Sequence, residues 1–296
     1  MTERSTPAIF DRALLRLRLQ RALKAGAADF LLARVVEDLV ERLSLAKRDF
    51  TTILDLGTPG PLLTQGLRAA RPGADVTHLA PIEAARAGAP STVGEIESAA
   101  LEPGRYDLIV SALAFQHVDD LPGVLARARR ALKPDGLLLA AIVGGRSLTE
   151  LRGCLAQAED GARGGASPRV APFVDLRDLG ALAQRAGFAL PVADVETLSV
   201  RYRDLFGLMR DLRAMGATNA LTQRGRPLTR AIVARAAELY ALNHADPDGR
   251  VRATFEIVWL SGWAPHPSQQ KPLKPGEGKT PLAQALAAAK AQREQE

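Results

Sequence analysis

Residues 51–61 read Thr-Thr-Ile-Leu-Asp-Leu-Gly-Thr-Pro-Gly-Pro. The apolar run of Ile53, Leu54 and Leu56 carries Asp55 and ends in a turn rich in glycine and proline. Leu62, Leu63, Leu67 and Ala70 then follow at three- and four-residue spacing. That order is a buried strand, a tight turn and the start of a helix, which brings backbone amides up to an anionic or nucleotide ligand. A turn of this kind reads Gly-x-Gly-x-Gly, its middle glycine letting the backbone approach the ligand. Here the five places are Gly57, Thr58, Pro59, Gly60 and Pro61. The two prolines remove two backbone donors and add ring bulk. Pro61 suits the first position of a helix; Pro59 has no such explanation.

Outward from this turn the pattern alternates. Strands are predicted at 51–56, 75–79, around 91–93, at 106–111 and at 136–143, with helices at 62–70, 82–87 and 121–132 between them. Such alternation implies βαβ units and a parallel sheet covered on both faces. YDLIVS (106–111) and GLLLAAIV (136–143) are almost wholly apolar, as doubly covered strands are. Pro134 and Gly136 are expected to stop the helix between them. A helix at 147–159, another at Asp175–Ala186, a strand at 193–200 and a final strand at Ala253–Trp263 follow. The mostly helical stretch 202–245 reads as an insertion with Phe206, Met209, Leu212 and Met215 in its core, able to line a substrate entrance. Upstream, residues 9–46 read as two helices, the first capped by Asp11 and ended by Gly26. Its leucines at 14, 15, 17, 19 and 23 form no single stripe, which suggests a solvated or docking helix. The expected organisation is one domain over 1–264 and a flexible, proline- and lysine-rich tail over 265–296, with a terminal helix at AQALAAAKAQREQE.

Apolar residues make up 47% of the 296 and aromatic ones 4%, so alanine and leucine must build the core. No stretch has the roughly 18 uncharged apolar residues of a membrane span. The start of the chain lacks a basic-then-apolar signal, and the single Cys154 fits a reducing compartment, so the cytoplasm is expected. A net charge of +6 invites a nucleic-acid partner, but the arginines are interleaved with leucine, alanine and acids and lack an aromatic stacking set. No nucleic-acid partner is expected. The basic first helix leaves peripheral contact with a membrane or an acidic partner open.

His117 and Asp119 follow the fourth strand, at the carboxyl end where sites in open α/β sheets form. His117 reads either as a general base or substrate-orienting group, or as a loop histidine bonded to backbone. His-x-Asp is also part of a non-haem iron triad, but neither His244 nor His266 has a spacing that completes it. Gly144-Gly145-Arg146, with Ser147 as a helix cap, reads as an anion site or as a plain turn. Cys154 lies within a helical pattern and reads as a buried thiol.

Several segments resemble class I S-adenosylmethionine-dependent methyltransferases of the biotin-synthesis O-methyltransferase type. They are IFDRALLRLRLQRA (9–22), ILDLG (53–57), the run from YDLIV to AIVGG (106–145) and SLTELR (147–152). GGASPRVAPFVDLRDLGALAQRAGF (164–188), LFGLMRDLRAMGATNAL (205–221) and FEIVWLSGW (255–263) are similar to the branch containing the mitochondrial complex I assembly factor. The resemblance implies a Rossmann-like α/β fold, a seven-stranded and mostly parallel sheet with an antiparallel final strand. It also implies S-adenosyl-L-methionine as cofactor, held by Asp55, Gly57, Gly60, Glu95 and Ser111, with His117 near the acceptor. Arg12 lies in a segment that closes over the cofactor in related enzymes. The family's ribose-binding carboxylate is Ala80 here, with Glu83 as a surrogate one turn on; Glu95 or Glu97 would serve the adenine side. Three functions are implied: a methyltransferase acting on a carboxyl group or on a protein or carrier-protein substrate, a non-catalytic respiratory complex I assembly or scaffold protein, or a protein-arginine hydroxylase.

Overall fold

The computed structural model describes residues 8–83 and 90–269. By its contacts the chain divides into Met1–Pro265 and His266–Glu296. Of the second unit, the tail beyond 269 and its expected terminal helix lie outside the described residues.

Asp11 accepts from the Leu14 amide at 3.0 Å and so caps α1 (Arg12–Ala25), which stops at Gly26 with φ +87°. The periodicity of α2 (Phe30–Ser44) buries Leu31, Val35, Val36, Leu39 and Leu43 in the core. β1 (Thr52–Leu56), α3 (Leu62–Ala70), β2 (Asp75–Ala80) and β3 (Ser91–Val93) follow. The helix expected at 82–87 does not begin at Ile82 or Glu83, and its remainder falls outside the described residues. Then come β4 (Tyr106–Ala112), α4 (Leu121–Ala131), β5 (Leu132–Val143), α5 (Thr149–Arg163), α6 (Leu176–Arg185) and β6 (Ala189–Tyr202). The insertion supplies α7 (Leu205–Ala214) and α8 (Arg230–His244), before the closing β7 (Val251–Trp263).

The seven strands lie in the order β3-β2-β1-β4-β5-β7-β6. The first five pair in parallel, and β7 runs antiparallel to both β5 and β6. Because side chains alternate across a strand, Ile53 packs with α2 and α3 on one face, while Leu54 and Leu56 pack with α4 and α6 on the other. Both faces are therefore covered, and the carboxyl ends of β1, β2 and β4 lie side by side.

Three local expectations are corrected. Pro134 and Gly136 do not end α4: the helix stops at Ala131, whose carbonyl accepts from Arg105, and Leu132–Gly136 already belong to β5. The strand absorbs the proline through a register shift opposite Tyr106–Leu108, with Asp135 at φ +63°. Ser147 does not cap α5. Its hydroxyl exchanges two bonds with the backbone of Glu256 on β7, and Leu148 takes the capping place at φ +55°. Finally, α1 does have a stripe: Leu15, Leu19, Ala22 and Leu23 turn inward together with Arg12 and Arg16.

Candidate functional site

Gly57 and Gly60 both take left-handed backbone angles, φ +85° and +82°, so the turn after β1 forms despite its prolines. Asp55 supports it from beneath. Its Oδ2 accepts from the Thr64 hydroxyl at 2.7 Å and lies 4.0 Å from His78 Nε2, which itself bonds the Thr58 carbonyl at 3.0 Å. Burial pushes the Asp55 pKa up to about 6, against the pull of His78 and the bonds from Thr58 and Thr64. Asp55 does not line the cavity above the turn, and neither does Ser111, which is sealed in β4. Both were expected to touch the ligand; each is an inward-facing residue of a strand covered on both sides, and the Ser111 hydroxyl has no hydrogen-bond partner among the described residues.

The turn keeps few free donors. The Gly57 amide donates to Leu79 O at 2.6 Å, continuing the sheet ladder. The Thr58 amide helps to hold the Asp55 carboxylate in its charged form. Pro59 and Pro61 have none, so of the turn's amides Gly60's alone has neither a hydrogen bond nor a charge partner among the described residues. Ile96 fills the space before Gly57, where an added Cβ would come within 2.3 Å of its Cδ1. Gly57→Ala is therefore expected to cost about 2–4 kcal/mol from the left-handed angle and the overlap together. Denaturant unfolding would measure this, and a second change, Ile96→Ala, is expected to return part of the loss.

Above the turn lies a cavity of about 710 Å³. It is roofed by the inward stripe of α1, walled by the α7 end of the insertion, and floored by Gly57, Pro59, Gly60 and Pro61. Gly216, at φ +72°, lets the end of α7 approach α1: an added Cβ there would meet Leu19 Cα at 3.1 Å. Met209, Leu212 and Met215 pack in or against the core, as expected of the insertion, and also line the cavity. Phe206 is 49% exposed and is not part of the insertion's core.

The roof is held by ion pairs. Arg12 joins Glu97 and, at 2.9 Å, Asp119, and it also donates to the His117 carbonyl. Glu97 Oε1 accepts from the amides of Asp119 and Asp120 at 2.7 and 2.6 Å. Asp119 Oδ1 takes the amides of Ile9 and Phe10. Arg16 pairs with Glu95 at 2.8 Å. Both acids expected on the adenine side thus fasten α1, although Glu95 still lines the cavity. Glu83 is exposed and lies outside the lining, as does the buried Ala80.

His117 reaches the cavity, and its ring meets Phe10 edge-on at 5.7 Å. Burial, helped by the charge of Arg12, lowers its pKa to about 4, so the imidazole is neutral and weakly basic at pH 7. Among the described residues no group of three or more His, Cys, Asp and Glu is arranged to hold a metal ion. Gly144, Gly145 and Arg146 use their amides on Glu256 O, Val174 O and Glu256 Oε1, so this pair of glycines is a turn.

Sequence reasoning missed the charge of the cavity. Arg12, Arg16, Arg18, Arg169, Arg213 and Arg224 all line it. Four are matched by carboxylates: Arg12 and Arg16 as above, Arg169 by Glu159, and Arg224 by Asp11 at 3.3 Å. Arg18 bonds the carbonyls of Thr218 and Asn219 and feels the charge of Asp11 without forming an ion pair with it, and Arg213 has no partner among the described residues. The motif DLRAMGATN (211–219) held the signal, but only the docking of α7 against α1 brings its arginine to the same cavity as the glycine turn.

The cofactor implied by the resemblance fits this cavity in size and in its approach to Gly57 and Gly60. The described residues offer it a single turn amide and no carboxylate at the end of β2.

The methyltransferase-domain family matches residues 29–191. The chain is 34% identical over 277 residues to the human mitochondrial arginine-hydroxylase NDUFAF5, covering 90% of this chain and 80% of that one. It is 35% identical over 285 residues to the malonyl-[acyl-carrier protein] O-methyltransferase of Laribacter hongkongensis, covering 90% and 94%. Among solved structures, YcgJ of Bacillus subtilis superposes with a TM-score of 0.54 at 12% identity, covering 79% of this chain and 99% of that one. The [4+2]-cyclase SpnF superposes at 0.50 and 15% identity, covering 85% and 93%. These two show the fold alone, and a cyclase among them shows that the fold does not dictate the reaction. With its seven-stranded sheet, its glycine turn and relatives that match it over nearly its full length, the chain belongs to the methyltransferase-domain family.

Proposed function

We propose that this protein transfers a methyl group from S-adenosylmethionine to a carboxylate, with a weakened grip on the cofactor. The observation that carries the reading is the pair Arg18 and Arg213, two cations that form no ion pair among the described residues, in a cavity continuous with the glycine turn. An anionic acceptor supplies what they lack. When bound, the cofactor supplies a methyl group on a positively charged sulfur. A carboxylate is already ionised at pH 7, so the chain needs no general base, which agrees with a His117 too weakly basic to be one. His117 is then an orienting group, and the chain's main work is to hold the acceptor and exclude water. The malonyl-[acyl-carrier protein] methyltransferase relatives support a carrier-bound carboxylate. The compartment we propose is the cytoplasm, on the evidence of the buried, unpaired Cys154.

Calorimetric titration with S-adenosylmethionine, followed by a methyl-ester assay on a malonyl thioester, tests the reading. Arg213→Ala is expected to raise the acceptor KM about tenfold, the loss of one charged hydrogen bond, and to leave cofactor affinity unchanged. Equal loss of both would remove Arg213 from the acceptor site.

A second reading is a non-catalytic assembly protein of the same fold. The consumed turn amides and the use of Glu95 and Glu97 as roof fasteners favour it, and a flat titration on folded protein would select it. Arginine hydroxylation, the activity named for the NDUFAF5 relatives, would place a guanidinium among unmatched arginines, and the charge of the cavity speaks against it.

A further inference from the structure

We propose that the outward face of α1 docks an acidic protein that delivers the acceptor group into the cavity. This rests on the carboxylate-acceptor reading and adds the surface and the chemistry of the partner. α1 carries Arg12, Arg16, Arg18, Arg21 and Lys24 and no acidic residue. Its inward stripe roofs the cavity and engages the first three of these cations. Arg21 and Lys24 point the other way: both are exposed and, among the described residues, have no partner. Leu17, 40% exposed, lies one turn before Arg21, so Leu17, Arg21 and Lys24 form a single outward stripe. α7 packs beside α1 and presents Arg213, while the loop after it presents Arg224, both exposed at the cavity. The positive surface is therefore continuous with the rim through which an appended group would enter.

Of the acids near this face, Asp11 pairs with Arg224 and Glu95 with Arg16, while Asp29, also in the cavity lining, makes no side-chain bond among the described residues. A lipid surface is the less suitable occupant, because an interfacial helix buries an apolar face in the membrane. Leu15, Leu19, Ala22 and Leu23 of α1 are spent on the cavity roof, and of its leucines Leu17 is the exposed one. What remains is a charged surface around one apolar contact, which is how acidic proteins are steered and seated.

The test compares the full chain with Arg21→Glu/Lys24→Glu, neither residue lining the cavity. The partner probe is an acidic acyl carrier protein bearing a malonyl thioester, titrated at low and high salt. The wild type is expected to bind it with an affinity that falls steeply with salt. The charge-reversed protein is expected to bind at least tenfold more weakly, with unchanged melting temperature, cofactor affinity and turnover of a malonyl thioester of a small thiol. Arg21→Gln/Lys24→Gln is expected to fall between the two. Equal carrier binding by wild type and reversed protein overturns the proposal. So does binding to phosphatidylglycerol vesicles that the reversal abolishes while carrier binding persists. If the small thioester is methylated but the carrier protein is not bound, the docking surface falls and the carboxylate reading stands. If neither is a substrate, both fall.

Discussion

Replacing Pro59 by glycine and Ala80 by aspartate together is expected to tighten the binding of S-adenosylmethionine by about ten- to a hundredfold. The glycine returns a backbone donor to a turn in which, among the described residues, Gly60 alone has a free amide, and it removes a ring from the cavity floor. The aspartate restores a carboxylate at the end of β2, where the family holds the ribose hydroxyls. Ala80 is fully buried and Pro81 lines the cavity next to it, so the new carboxylate must reach past Pro81. Without ligand that charge is poorly solvated, and the double variant is expected to melt lower than the wild type and to recover when cofactor is added. Calorimetry on the two proteins reads the first effect and a thermal scan with and without cofactor reads the second. An unchanged dissociation constant on folded protein would mean that the turn after β1 is not where the cofactor sits.

The largest expected effect on stability comes from Glu159, on the buried side of α5. Its carboxylate receives Arg163 at 2.8 Å, both Nε and Nη2 of Arg169, and the Ser167 amide at 3.2 Å. Arg163 and Arg169 also hold the carbonyls of Arg226 and Pro227. One acid thus ties α5 to the 163–173 loop, which forms part of the cavity wall, and to the segment before α8. Glu159→Ala leaves Arg169 without its anion in a largely buried place, and a loss of about 3 kcal/mol or more is expected. The bonds from Arg169, above all, lower the Glu159 pKa to about 2 from an ordinary value of 4.5. A depressed carboxylate contributes stability that is present above pH 4.5 and is lost as the pH falls towards 2. Unfolding measured from pH 6 to pH 2 is expected to show this acid loss in the wild type, with the Glu159 share missing from Glu159→Gln. Superimposable pH profiles would show that the cluster adds nothing to folding.

Much of the fold could be read in the chain because its signals are local. Alternating apolar runs mark strands covered on both faces, Asp11 and Gly26 mark the ends of the first helix, and two glycines mark a turn that needs positive φ. Where local signals misled, a distant bond had won. Ser147 looks like a helix cap, but β7, more than a hundred residues away, claims its hydroxyl. Glu95 and Glu97, expected on the adenine side, also pair with arginines of the first helix, which no local signal announces. Asp55 and Ser111 sit in ligand-binding motifs, yet the pleat turns them into the sheet.

By itself the sequence determined the strand–turn–helix unit, the family and the loss of two turn donors, since each follows from residues adjacent in the chain. Only the tertiary structure decided which charges meet. The cavity is closed by α1 and α7, about two hundred residues apart, and an arginine's partner depends on what folds against it. Among the described residues that packing leaves Arg18 and Arg213 outside any ion pair while matching the other four arginines, and no spacing in the sequence records it.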